Sequence, residues 1–370
     1  MLAGGDRKSV LFTSFSRAMD WHGLKYACMR LISHQGYNPI MNSGSPILYL
    51  IPPFIAFAVS LGTISCLIKG NILKILDQPN SRSLHTRPVP RTGGLGLMSG
   101  IFVSWTFLPV KPPVSIWVAI VLLVTISFAD DVRSLPVWPR LVIYTGLGIW
   151  FSAVTLAATY GWLVAVAAAL CITWMLNLYN FMDGSDGLAG GMTLIGFSCY
   201  GATAWISGNE AFAIANFCIA AAAGAFLLFN FHPARIFMGD AGSIPLGFLA
   251  AALGMMGWIN GCWPAWFPLL VFSPFIVDAS VTLIKRGLRG KKIWRAHREH
   301  YYQRLVRSGL GHRNTALIGY VLMSATAISA LWATQQHTNV QFGMVTAWIG
   351  IYLVMICLCD RRLRHAPDSP

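Results

Sequence analysis

Residues 161–187 read GWLVAVAAALCITWMLNLYNFMDGSDG, an apolar run of about twenty residues that ends in a polar motif. Such a run is as long as a helix must be to cross about 30 Å of hydrocarbon. Asn177, Asn180 and Asp183 recur every three residues at its end, so they fall along roughly one stripe, and Asp186 follows after Gly184. A membrane helix therefore carries a set of hard oxygen donors at its mouth. Amide and carboxylate oxygens are ligands that Mg²⁺ accepts, with water and phosphate completing an octahedron. An EF-hand reading of the Asp183–Gly187 segment fails, because the spacing is wrong and no Glu closes the loop.

The rest of the chain repeats the apolar theme. It is 55% hydrophobic and only 11% charged, with a mean hydropathy of +0.59, which excludes an ordinary soluble domain. Eleven spans are expected, at 46–69, 93–110, 113–129, 139–159, 161–181, 187–207, 211–231, 243–261, 264–284, 314–333 and 341–359. The expected fold is an all-α integral membrane protein, a polytopic bundle of about 10–11 transmembrane helices. One transmembrane domain fills 46–360, and 361–370 form a tail.

Charge placement gives an orientation. Of the 27 Lys and Arg, five precede residue 46; of the remaining 22, only Lys111 falls outside one set of alternating loops. Those loops are cytoplasmic by the positive-inside rule. The net charge of +14 serves this topology and also attracts anionic lipid heads and phosphates. Nucleic acid is not an expected partner, since no basic helix alternates with aromatics in a soluble module. The first forty residues clash with the orientation, because they hold Arg7, Lys8, Arg17, Lys25 and Arg30 without a signal-peptide pattern. Residues 1–45 are therefore expected to be a leader that is not native, with translation starting at Met41. Cysteines such as Cys171 and Cys218 sit in or beside apolar spans and read as small hydrophobes.

Further polar motifs fall on the same side. Arg82, His85, Arg87 and Arg91 precede Gly93-Gly94 and read either as a phosphate path or as an ordinary positive loop. Asp130 and Asp131 repel one another at a helix mouth, so a counter-ion is expected: Arg133, a magnesium ion or a phosphate proton. In FMGDAGS, residues 237–243, glycines flank Asp240, and Ser243 is expected to cap the next helix and turn its first amides toward an anion. Phe237 reads as a base-stacking ring or a lipid-facing one. The basic stretch 285–313 holds His297 and His300, which share a face if helical, with Gln303 and Arg304 beyond. The surrounding arginines favour pyrophosphate. Asp278 reads as a partner of one of those arginines or as part of the site.

With all these motifs in view, the chain resembles the polyprenyl-phosphate N-acetylhexosamine-1-phosphate transferases, the MraY/WecA superfamily, over about residues 46–330. The pattern rests on Asp130-Asp131, the Asn177 to Gly187 run and Gly239-Asp240-x-Gly242-Ser243 in that order. The resemblance implies transfer of a sugar-1-phosphate from a UDP-N-acetylhexosamine to undecaprenyl phosphate, with release of UMP. It implies a multi-pass protein of the bacterial inner membrane, often a homodimer, whose active site faces the cytoplasm. It implies Mg²⁺, replaceable by Mn²⁺, on Asp240 with Asn180 as second ligand. Asp130 matches the acid that deprotonates or orients the lipid phosphate, assisted by Asp131. Asp183 and Asp186 are implied near nucleotide and metal, Phe237 on uracil, and His300 as the first His of a basic-loop motif. Asn177, Arg91, His297, Gln303 and Arg304 complete the expected substrate contacts. At the basic loop the family's His-x-His-His becomes His300-Tyr301-Tyr302-Gln303, which suggests the WbpL-like O-antigen branch. A transporter or flippase is the rival reading, but transporter sites sit near the midplane and often in repeats. A CDP-alcohol phosphotransferase would need a different Asp-Gly signature.

Overall fold

The computed structural model describes residues 47–70, 75–78, 84, 88–133, 136–292 and 297–363. The leader with Met41, the tail beyond Leu363, and Arg82, His85 and Arg87 lie outside the described residues. From Tyr49 onward the chain forms one compact unit.

Among the described residues the regular structure of that unit is helical apart from one pair of short strands. The long helices are α1 (Ile47–Gly70), α2 (Gly93–Thr106), α3 (Val114–Arg133), α4 (Val137–Tyr160, with a π-helical turn at Ala153–Ala157), α5 (Trp162–Met182), α6 (Leu188–Ile206), α7 (Glu210–Asn230) and α8 (Asp240–Ile259). Then come α9 (Trp266–Val271), α10 (Ser273–Leu288), the short α11 (Tyr301–Leu305), α12 (Gly311–Thr334) and α13 (Thr338–Leu363). Strands β1 (Leu76–Asp77) and β2 (Val89–Pro90) pair antiparallel, with Leu76 opposite Pro90.

Among the described residues eight helical runs are long and apolar enough to cross a membrane. With no water in the hydrocarbon, only helices and closed barrels satisfy their backbone within it, and runs of about twenty apolar residues take the helical form. Burial sorts them: 72% of the apolar window of α8 and 67% of that of α7 are buried, against 6% for α13. α8 packs on α3, α5 and α2, while α7 packs on α6 and α2. The inner helices approach closely because small residues line them, the packing device of membrane bundles. A Cβ on Gly191 would lie 1.9 Å from the Tyr320 ring.

Three boundaries differ from expectation. The span expected at 264–284 is two helices, broken at Phe272 (φ −93°, ψ 8°) ahead of Pro274. Pro274 has no backbone donor for Leu270 O, and Ser273 Oγ donates to that carbonyl instead at 2.7 Å across the break. α2 ends at Thr106, so it is about 21 Å long, short of a full crossing. α8 begins at Asp240, not at 243. The alternating directions bring the ends of α3, α5, α7, α10 and α13 together with the starts of α2, α4, α6, α8 and α12. Among the described residues the polar motifs lie at that end.

Candidate active site

The site is built where the start of α2 meets the start of α8. Gly93 N donates to Phe237 O at 2.9 Å and Gly94 N to Met238 O at 2.8 Å. A Cβ on Gly94 would stand 2.4 Å from Gly242 N, so only glycine lets these two backbones touch. Gly239 has φ +72°, and a Cβ there would meet Arg91 O at 2.4 Å. These contacts seat Arg91 over Asp240.

Around that seat the separated motifs converge. Arg91 Nη2 lies 3.2 Å from Asp131 Oδ1 and 3.7 Å from Asp240 Oδ1, and its Nη1 is 3.9 Å from Asp77. Asn180 Nδ2 donates to Asp240 Oδ1 at 2.8 Å and to Ser243 Oγ at 3.2 Å. Asp183 accepts from Gly239 N and lies within electrostatic reach of Asp240, Arg91 and Asp131. Burial in the cleft, then the charge of Asp240, pushes the Asp183 carboxyl well above its ordinary value. Burial works against the charge on Arg91, but Asp131, Asp240 and Asp77 more than offset it and raise its pKa.

One participant was not foreseen. Arg140, at the start of α4, bridges Asp130 and Asp240, its Nη1 lying 3.0 Å from Asp240 Oδ2. The counter-ions of the acidic pair are thus Arg140 for Asp130 and Arg91 for Asp131; the expected Arg133 is exposed. The signal available was an arginine just inside the mouth of an apolar span.

Asp131 and Ser243 also correct an expectation. The Asp131 side chain, 1% exposed, accepts from Asp240 N at 3.2 Å and Ala241 N at 3.0 Å. It caps α8 from another helix, which starts the helix at Asp240 and takes two amides expected to face an anion. Ser243 is then the fourth helical residue, and its hydroxyl donates back to Gly239 O at 3.1 Å.

A second group abuts the first. Asp278, read as a partner of an arginine or as part of the site, accepts from Tyr301 N at 2.8 Å and Tyr302 N at 2.9 Å, capping α11. His300, 3% exposed, has Nδ1 3.4 Å from Asp278 and its ring stacked on Phe181 and Tyr302. His297 and His300 do come together, with centroids 4.8 Å apart, but across an irregular turn and not on a helix face. Burial, then the neighbouring charges of His300 and Arg286, lowers His297 to about 4. Tyr302 Oη donates to Phe181 O at 2.9 Å, filling the space where a Cβ on Gly184 would sit 2.2 Å away. Gln303 Oε1 accepts from His300 N at 3.3 Å.

Asp186 and Arg304 turn to partners of their own. Asp186 accepts from Ala234 N at 3.1 Å, pairs with His232 Nδ1 at 2.7 Å and lies 3.8 Å from His312 Nδ1. The two imidazoles stack, and His312 Nε2 faces Leu84 O at 3.1 Å. Buried Asn230 ties the same turn to the next loop, accepting from Gly187 N and donating to Ile236 O. Arg304 reaches Asp360 at 3.0 Å, beside Lys285 and Tyr301. Asn177 Nδ2 bonds back to Thr173 O at 2.7 Å, and Phe237 N donates to Pro90 O at 2.7 Å. Among the described residues no three His, Cys, Asp or Glu side chains form a ready ion cage.

The family model of glycosyl transferase family 4 matches residues 113–258, the part that holds α3 to α8. A probable undecaprenyl-phosphate N-acetylglucosaminyl 1-phosphate transferase of Bacillus subtilis (strain 168) is 28% identical over 327 residues, 82% of this chain and 88% of its own. The undecaprenyl-phosphate alpha-N-acetylglucosaminyl 1-phosphate transferase of Escherichia coli (strain K12) is 24% identical over 307 residues, 76% and 81%. A phospho-N-acetylmuramoyl-pentapeptide-transferase of Listeria welshimeri is 32% identical over 148 residues, 38% and 44%. By these likenesses the chain is similar to the MraY/WecA superfamily over most of its length, and it is a glycosyl phosphotransferase.

Proposed function

We propose that the chain transfers an N-acetylhexosamine-1-phosphate from a UDP-sugar to undecaprenyl phosphate at the cytoplasmic face of the bacterial inner membrane. UMP is released, and the lipid-linked sugar starts O-antigen or another surface glycan. The relatives' names support undecaprenyl phosphate as acceptor and a sugar phosphate as the transferred group. The observation that carries the reading is the convergence of Asp130, Asp131, Asn180, Asp183, Asp240 and Arg91 at the end of a membrane bundle.

Four carboxylates face two guanidiniums in this cleft, and its donors are hard oxygens, which fits a divalent cation of the magnesium type. Asp240 and Asn180 would hold it, the amide of Asn180 turning its oxygen inward, and Mn²⁺ suits the same donors. When bound, the ion supplies Lewis-acid polarisation of the diphosphate and neutralises charge on departing UMP.

The chemistry left to the side chains is positioning. A phosphate oxygen of the lipid attacks the β-phosphorus of the donor; the bond from that phosphorus to the bridging oxygen breaks, and UMP leaves with the electron pair. Asp130 orients the lipid phosphate or takes its proton. Arg91, His297 and His300 bind phosphate oxygens, and Asn177, Asp183 and Phe237 line the nucleotide. Asp186, Gln303 and Arg304 act by holding their loops in place. The replacement of imidazoles by Tyr302 and Gln303 supports the O-antigen branch, since both residues here serve the loop's own architecture.

The test is UMP release by purified protein in detergent with undecaprenyl phosphate, Mg²⁺ and a panel of UDP-N-acetylhexosamines. Release with at least one donor is expected, and that donor names the sugar. No release from any donor, together with no binding of UMP itself, contradicts the proposal.

A further inference from the structure

Both oxygens of Asp240 already have partners. Arg140 Nη1 is shared between Asp130 Oδ2 and Asp240 Oδ2, while Arg91 Nη2 and Asn180 Nδ2 face Asp240 Oδ1. A divalent cation has no open place on this carboxylate. The arrangement is nonetheless incomplete. Arg140 Nε is buried without an acceptor, and a buried donor left unmade is costly. Asp131 is fixed, its side chain 1% exposed and bound to two backbone amides. Arg91 and Arg140 keep 33% and 25% of their side-chain surface exposed, so both have room to turn. A guanidinium fork matches the oxygens of a phosphate as well as those of a carboxylate.

Resting on the reading that this cleft takes a divalent cation and a nucleotide diphosphate, we propose that Arg140 and Arg91 are exchangeable counter-ions. Without a donor they neutralise Asp240 and its neighbours. When the donor binds they pass to its diphosphate, and the cation takes the Asp240 oxygens they leave. Cation and diphosphate therefore bind cooperatively. Alone, the cation must displace an arginine, and the diphosphate meets uncompensated carboxylates. By linkage, whatever each ligand gains from the other is reciprocal. Arg140 is on this account a positioning residue that competes with the metal, not a strut that supports it. The two roles differ in sign. Removing a competitor strengthens cation binding, and removing a strut weakens it.

The experiment uses the full chain in detergent, with Mn²⁺ as the probe, read by loss of the free-ion electron paramagnetic resonance signal. Neither donor nor lipid is present, and Asp240→Ala defines binding elsewhere. Arg140→Gln is expected to tighten Mn²⁺ about tenfold, while Arg140→Lys, which keeps the charge, stays within about threefold of the unaltered protein. UDP binding measured calorimetrically in EDTA is expected to weaken in Arg140→Gln. Unchanged or weaker Mn²⁺ binding in folded Arg140→Gln overturns the proposal. If Arg140→Gln does not fold, Arg91→Gln carries the same test with the same sign. Should the unaltered protein bind Mn²⁺ no better than Asp240→Ala, it is the metal reading of the cleft that fails.

Discussion

Two kinds of residue meet at the cleft: those whose chemistry the reaction needs and those that keep the former in place. Asp240 is of the first kind. Asp240→Ala is expected to reduce the rate of UMP release by about 10³-fold, in line with loss of one preorganised electrostatic contact, while the folded fraction by size-exclusion chromatography stays near that of the unaltered protein. Tyr302 is of the second kind, and Gly184 exists to admit its hydroxyl. Gly184→Ala is expected to destabilise by about 1–3 kcal/mol, because the displaced hydroxyl leaves Phe181 O without its donor. Adding Tyr302→Phe should cost less than the sum of the two single changes, since the clash disappears with the hydroxyl; a thermal-melt cycle measures this, and additive costs would refute it. The acidic residues were legible in the sequence because carboxylates beside lipid are rare and sit at expected spacings. Arg140 was not legible, because one arginine at a helix mouth looks the same whether it obeys the positive-inside rule or joins Asp130 to an aspartate 100 positions away. Gln303 and Arg304 were read as substrate contacts because sequence gives residue type but not direction. Gln303 turns to its own helix start and Arg304 to Asp360.

At the scale of elements, the site depends on how helix ends are capped. α8 starts where Asp131 on α3 meets its first amides, and α11 starts where Asp278 on α10 does the same. Asp131→Asn keeps one acceptor but loses the charge at the positive end of the helix and at Arg91. A loss of about 1–2 kcal/mol in stability is expected, with a larger loss in activity, as Asp240 is the residue that α8 presents. A variant with full activity would show that the cap is dispensable. The α2–α8 contact is equally demanding, because a side chain at Gly94 meets backbone that cannot swing aside. Most spans were readable from hydropathy, whose signal is strong over twenty apolar residues. The break at Phe272 and the early start of α8 were not, because a proline in a membrane span often only bends it, and because a cap supplied by a distant helix leaves no local trace.

For the molecule as a whole, stability should carry the mark of the crowded acids. Asp183 has a raised pKa, so at pH values above the ordinary carboxylate range the folded chain holds a proton that the unfolded chain has released. Its contribution is therefore present at low pH and is lost as pH rises through the raised value. His297, lowered to about 4, works the other way, and its contribution is lost as pH falls from about 6.5 through that value. In metal-free protein, the apparent melting temperature from pH 5 to 8 is expected to fall more steeply for the unaltered chain than for Asp183→Asn, and Mg²⁺ should flatten the difference. Equal slopes would mean that Asp183 does not titrate within the cleft. All of this follows from one claim, that the chain moves a sugar together with its phosphate. The direct measurement gives the protein UDP-N-acetylhexosamine carrying ³²P in the β-phosphate, with undecaprenyl phosphate and Mg²⁺, and separates lipid from water-soluble products. The account predicts label in the lipid extract and unlabelled UMP in the aqueous phase, both absent with Asp240→Ala. Label retained in UDP, with only the sugar reaching the lipid, would contradict it.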